Sequence, residues 1–128
     1  MNKNILQKRP VYLNLLKIRQ PVTALASIAH RISGVFLFLS IPCIIWLLDQ
    51  SLVNEASYQA VVEQLASPLS KLLLIMLAWA AAHHFFAGIR FLFLDIDVGV
   101  ELVAARRSAF IVNVLGGLVA LIVMVAVL

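Results

Sequence analysis

The chain has 128 residues, of which 63% are hydrophobic and 12% charged, against about a quarter charged in soluble domains. That balance excludes an ordinary water-soluble globule and assigns the missing polar surface to lipid. The formal charge of +4 gives no reason to expect a nucleic-acid partner, because the cations have a simpler source in their placement around a bilayer.

Residues 1–20 hold Lys3, Lys8, Arg9, Pro10, Lys17 and Arg19 among scattered apolar positions, with no sustained helical period, and so read as an irregular arm able to lie against a soluble partner. Lys17 and Arg19 interrupt the apolar run before a signal-peptide core can form, and no small-residue cleavage site follows, so no removable signal is expected. Pro21 suits the first turn of a helix, and the first span is expected from about 21 to about 49, with its charge-free part at Ile32 to Leu48. Pro42 lies inside it and frees a carbonyl one turn earlier, which predicts a kink. Cys43, the only cysteine, sits in mid-span and reads as a small buried apolar residue.

The loop from about 50 to 66 combines Glu55 and Glu63 with Val61, Val62 and Leu65, a pattern that allows a short amphipathic helix at the membrane surface. Ser67-Pro68 then reads as an N-cap and first-turn proline opening a second span, charge-free over Leu72 to Ile89 and ending near Asp95. A turn over about 96–107 leads to a third span at 108–128, where Asn113 and the pair Gly116-Gly117 suit a packing helix. The expected fold is an all-α membrane protein of three transmembrane helices forming a single anchor domain over residues 1–128, without internal repeats. All Lys and Arg except Lys71 lie on the N-terminal arm, the second loop or the span ends facing them, while Asp49, Glu55 and Glu63 mark the first loop. The positive-inside rule therefore predicts a cytoplasmic N-terminus and a periplasmic C-terminus.

Ionisable groups within a bilayer cost several kcal/mol unless partnered, which makes each a functional candidate. Those at or inside spans are His30, Arg31, His83, His84, Arg90 and Asp95, clustered toward the cytoplasmic side. Ser27, His30, Arg31 and Gly34 stand at offsets 0, 3, 4 and 7 and share one helical face, with Ile28, Ile32, Val35 and Leu39 assigned to the other. A plainer role is open as well: His30 and Arg31 snorkelling to headgroups, and Ser27 bonding its own backbone. His84 and Gly88 are four apart, so the glycine leaves room over one turn for a flat ligand such as haem, whose iron neutral imidazole ligates. A packing role for the histidines is also open, and His83 points about 100° away from His84, so the two cannot share one iron. Counting from the charge-free limits places His30 and His84 roughly 10 Å apart in depth. That is about the reach from haem iron to its propionates. His30 and Arg31 would then meet the propionates, with Arg31 giving charge-assisted bonds, and a partner membrane subunit would donate the second axial histidine.

The runs Arg9-Pro10, Ser27-Ile28-Ala29-His30-Arg31-Ile32-Ser33-Gly34 and His84-Phe85-Phe86-Ala87-Gly88-Ile89-Arg90, followed by Asp95, stand in an order and spacing that resembles the cytochrome b membrane-anchor family of succinate dehydrogenase, respiratory complex II. The resemblance extends over nearly the whole chain. It implies a bacterial inner-membrane subunit that binds haem b together with a second anchor subunit and helps form a ubiquinone-reduction site, beside an iron–sulfur subunit and a flavoprotein subunit that oxidises succinate. By the same resemblance Ser27 and Arg31 line the quinone site, His84 is the axial haem ligand, and His30 with Arg31 lies near the propionates. Asp95 and Glu101 are candidates for proton supply. Phe91 departs from the family, whose members often carry histidine there. An anchor of quinol:fumarate reductase would use the same scaffold. A transporter or channel would need a polar stripe across the bilayer, whereas the outer halves of all three spans are apolar. A bare tether would leave His84 and its glycine without a purpose.

Overall fold

The computed structural model describes residues 18–128. The expected N-terminal arm, including Arg9-Pro10, lies outside the described residues apart from its last three positions. Four helices follow in order: α1 (Val22–Val53), α2 (Glu55–Leu65), α3 (Pro68–Asp95) and α4 (Leu102–Val127). Three of them, α1, α3 and α4, are long and apolar enough to cross a membrane. At 32 residues, α1 is about 48 Å long, well beyond a hydrocarbon core of about 30 Å.

Local chemistry sets most of the boundaries. Pro21 is the N-cap of α1, and the helix continues through Pro42. It does not stop near Asp49 but runs one turn further, because the first residue able to reorganise the chain is Asn54. There the Asn54 side chain accepts from the Ser57 N–H at 2.9 Å and the Ser57 hydroxyl oxygen accepts from the Asn54 N–H at 3.1 Å, a capping box that starts α2 at once. The amphipathic helix suggested by Val61, Val62 and Leu65 thus extends back to Glu55, with Val61 as its buried contact. Ser67 caps α3 by accepting from the Ser70 N–H at 3.3 Å, and Pro68 occupies the first turn.

The α3 C-terminus closes in a Schellman arrangement. The Val98 N–H reaches the Phe93 carbonyl at 2.9 Å and the Asp97 N–H reaches Leu94 at 3.1 Å, with Asp97 itself at φ 60°. This tight turn lets α4 begin at Leu102, earlier than the expected Ser108. The charges of Arg106 and Arg107 ended the apolar run in the sequence, but Arg is a good helix former and extends the helix beyond the lipid.

Helix α3 is central and packs against the other three. The contacts are made by small side chains: Ala26 and Ser33 on α1, Ala80 and Ala87 on α3, Ala109, Val112 and Gly116 on α4 are all buried. Small residues let membrane helices approach closely where lipid removes any hydrophobic preference for association. Large apolar residues face outward instead, among them Phe38, Leu52 and Val125. Cys43, expected to be buried, is exposed. It lines a cleft of about 470 Å³ between α1, α2 and α3, with Trp46, Gln64 and Leu73.

The Gly116 contact gives a direct test. A Cβ at Gly116 would come within 3.0 Å of His83 Cβ, whereas one at Gly117 would meet nothing within 4 Å. Gly116→Leu should destabilise the detergent-solubilised protein by about 1–3 kcal/mol, read as a lower thermal midpoint, and Gly117→Leu by less than about 0.5 kcal/mol.

Candidate functional site

Four of the ionisable groups of the spans, His30, His84, His83 and Arg90, divide between the two seams that α3 makes with its neighbours. On the α1 side the imidazoles of His30 and His84 lie face to face, with ring centroids 4.1 Å apart and planes inclined by 10°. The His84 Nδ1 is 3.1 Å from the His30 carbonyl oxygen. A carbonyl only accepts, so the proton of His84 sits on Nδ1 and the lone pair on Nε2. Ser33, fully buried, donates its hydroxyl to the same carbonyl at 2.8 Å, and its oxygen stands 3.3 Å from His84 Nδ1. With its own hydrogen committed, that oxygen accepts from Nδ1–H.

The rings at 4.1 Å replace the expected depth offset of roughly 10 Å. Counting from charge-free limits put the membrane border at Arg31, but α1 begins at Val22, so His30 already lies two turns into the helix. The depth offset that would place His30 at the propionates and away from the iron is therefore absent.

Room for the His84 ring also comes from an unexpected glycine. A Cβ on Gly34 would lie 2.8 Å from His84 Cε1, while one on Gly88 would have His30 Nε2 as its neighbour at 3.9 Å. Helical side chains lean toward the N-terminus, so His84 swings away from the Gly88 turn and the ring of His30 fills that space. Phe91 also packs against His30, with centroids 5.1 Å apart and planes inclined by 56°.

Ser27, His30, Arg31 and Gly34 span an arc of about 100°, and the structure separates its edges. Gly34 and His30 face α3, whereas Arg31 is exposed and lines an open groove of about 370 Å³ with Ile32, Val35, Phe36 and Leu39. Arg31 therefore shares a surface with three of the residues assigned to the opposite face. Ser27 is half-buried one turn before it. Asp95 at the end of α3 and Glu101 at the N-cap of α4 are exposed.

On the α4 side His83 is buried, with its Nε2 3.0 Å from Asn113 Oδ1 and its Nδ1 without a hydrogen-bond partner. Arg90, also buried, donates from Nε to the Ser108 hydroxyl at 3.0 Å and from a terminal nitrogen to the Ala105 carbonyl at 3.2 Å. His83 and Arg90, seven residues apart, thus bind α3 to α4 along one face. Among the described residues no group of three His, Cys, Asp or Glu side chains is placed to hold a bare metal ion.

A helical anchor with a half-buried, stacked histidine pair between two membrane-length helices is the class of protein that this architecture defines. The sequence matches the model of the succinate dehydrogenase/fumarate reductase transmembrane subunit over residues 6–126. It is 37% identical over 108 residues to the succinate dehydrogenase cytochrome b556 subunit of Coxiella burnetii, covering 84% of this chain and 86% of that one. The corresponding subunit of Paracoccus denitrificans is 32% identical over 101 residues, or 79% of this chain and 78% of its own. That of Rickettsia prowazekii is 30% identical over 115 residues, 89% of each. The chain belongs to the succinate dehydrogenase/fumarate reductase transmembrane subunit family.

Ser33 is the site residue that the sequence reading did not single out. Its signal was available, since His30, Ser33 and Gly34 fall at i, i+3 and i+4 and so share a face. The α3–α4 bond can be measured by a double-mutant cycle of His83→Phe and Asn113→Leu. A coupling of about 0.6 to 1.7 kcal/mol is expected for an interhelical hydrogen bond in a membrane protein, and additive losses would show that the pair does not interact.

Proposed function

We propose that the chain is the haem-bearing anchor of a succinate:ubiquinone oxidoreductase in a bacterial inner membrane, with its N-terminus cytoplasmic. The observation that carries this reading is the His84 seat within a chain of this family. The ring is held by its Nδ1 edge, the lone pair remains on Nε2, and Gly34 leaves the space that a Cβ would take from the ring. A single imidazole of this tautomer fits a haem, because the porphyrin would supply the remaining nitrogens and haem iron takes a neutral histidine as ligand. Bound there, haem b would supply a one-electron redox centre, shared with a second anchor subunit that would donate another histidine.

His84 would hold the iron, His30 would pack the pocket beside it, and Arg31 would meet the propionates. Ser27 and Arg31, one turn apart on α1, would also line the quinone site. Ser27 would donate a hydrogen bond to one quinone oxygen, and Arg31 would stabilise the negative charge that develops there on reduction. The flavoprotein subunit oxidises succinate and the iron–sulfur subunit passes the electrons on. The two protons taken up by the quinone would come from the cytoplasmic side, with Asp95 and Glu101 as the acidic groups at that end of the helices. The unequal distribution of Lys and Arg supports the orientation, and the apolar outer faces are suited to membrane lipid. Quinol:fumarate reduction on the same scaffold is the alternative, since the family includes both directions.

The quinone role predicts that Arg31→Leu in the assembled complex lowers succinate:quinone activity by tenfold or more, on the order of the loss of a charge-assisted contact, while succinate oxidation with a soluble dye persists. Equal activities with quinone would refute the assignment. The haem role predicts that His84→Leu alters the reduced-minus-oxidised spectrum and weakens haem retention, and His83→Phe does not. A parental spectrum in His84→Leu would assign the iron elsewhere.

A further inference from the structure

We infer that Ser33 is a positioning residue for the His84 ligand: its hydroxyl, together with the His30 carbonyl, fixes the tautomer of His84 and sets how strongly Nε2 donates to iron. The inference rests on the haem assignment proposed above and adds a residue to it.

Three features of the seam lead to this role. Ser33 is fully buried on α1 and so is not placed for solvent or lipid. Its hydroxyl donates to the His30 carbonyl at 2.8 Å, which orients the oxygen lone pairs away from that carbonyl and toward His84 Nδ1, 3.3 Å distant. The Nδ1–H therefore faces two acceptors, the carbonyl at 3.1 Å and the hydroxyl oxygen. A proton shared in this way stays on Nδ1, which excludes the tautomer with Nε2–H and leaves the iron-binding nitrogen unprotonated. Acceptors at Nδ1–H also draw that proton away from the ring and raise the basicity of the other nitrogen, the effect partners of ligating histidines have in general. Greater basicity favours the ferric state, so Ser33 lowers the reduction potential of the haem. Gly34 completes the arrangement, since any Cβ there would push the ring off both acceptors. An ordinary serine in a helix that bonds back to its own i−3 carbonyl needs none of this, and Ser40 and Ser51 do only that.

The test compares Ser33→Ala and Ser33→Cys with the parent and with His84→Leu, each in the membrane-assembled complex. Cysteine keeps the shape of the site with a weaker acceptor, so it reports even if alanine impairs assembly. Both Ser33 variants should keep a b-type spectrum but show a higher haem midpoint potential and a displaced low-spin ferric resonance, the alanine variant more so. Transfer of haem to an external acceptor should be about tenfold faster in Ser33→Ala, the lower end of the usual effect of such partners. A potential and resonance identical to the parent's in both Ser33 variants, with His84→Leu altered, would overturn the role of Ser33 alone. A parental spectrum in His84→Leu would overturn the ligand assignment, and the inference with it.

Discussion

A polar group inside a hydrocarbon layer must find its partner within the protein, and the seam between α1 and α3 is organised by that requirement. The His30 carbonyl, the Ser33 hydroxyl and the His84 imidazole form a closed set in which each donor has an acceptor. Satisfying them demands that the two helices lie close, which in turn demands Gly34 where His84 meets α1. The depth, rotation and tautomer of His84 follow from this seam and not from any property of His84 by itself.

The second seam plays a complementary part. His83 projects to α4 while His84 projects to α1, so consecutive residues of α3 are tied to opposite neighbours. A rotation of α3 about its axis would break both sets of bonds together. Arg90 extends the α4 attachment toward the C-terminal end of α3 by bonding to Ser108 and the Ala105 carbonyl. The charge that marked Arg90 as a site candidate is thus consumed in joining helices, whereas the guanidinium of Arg31 lies on an open surface of α1.

The parts of this arrangement that could be read from the sequence were those with a local cause. Ser67-Pro68 opens a helix because capping and a fixed φ act within one turn, and the apolar stretches reveal helices that suit a bilayer. The end of α1 and the start of α4 lie beyond the expected borders because charge marks the border of lipid, while Asp49 and Arg106 continue a helix without difficulty. His84 could be singled out by its cost in a membrane, but its surroundings could not. Which glycine faces it depends on side-chain lean and on the relative depth of two helices, neither of which spacing along one helix contains. Ser33 was passed over for a related reason: a serine in an apolar helix looks like self-satisfied polarity until the helix opposite is in place.

Membership of the succinate dehydrogenase/fumarate reductase transmembrane family gives this seam a setting in a membrane subunit, and the proposed haem seat is the part of it most open to direct observation. The most direct measurement is an experimental density map of the assembled complex at a resolution that separates the imidazole atoms. The account predicts a porphyrin whose iron is bound by His84 Nε2, with His84 Nδ1 still against the His30 carbonyl and Ser33. Iron bound to a different residue of this chain, or a His84 ring turned away from α1, would contradict it.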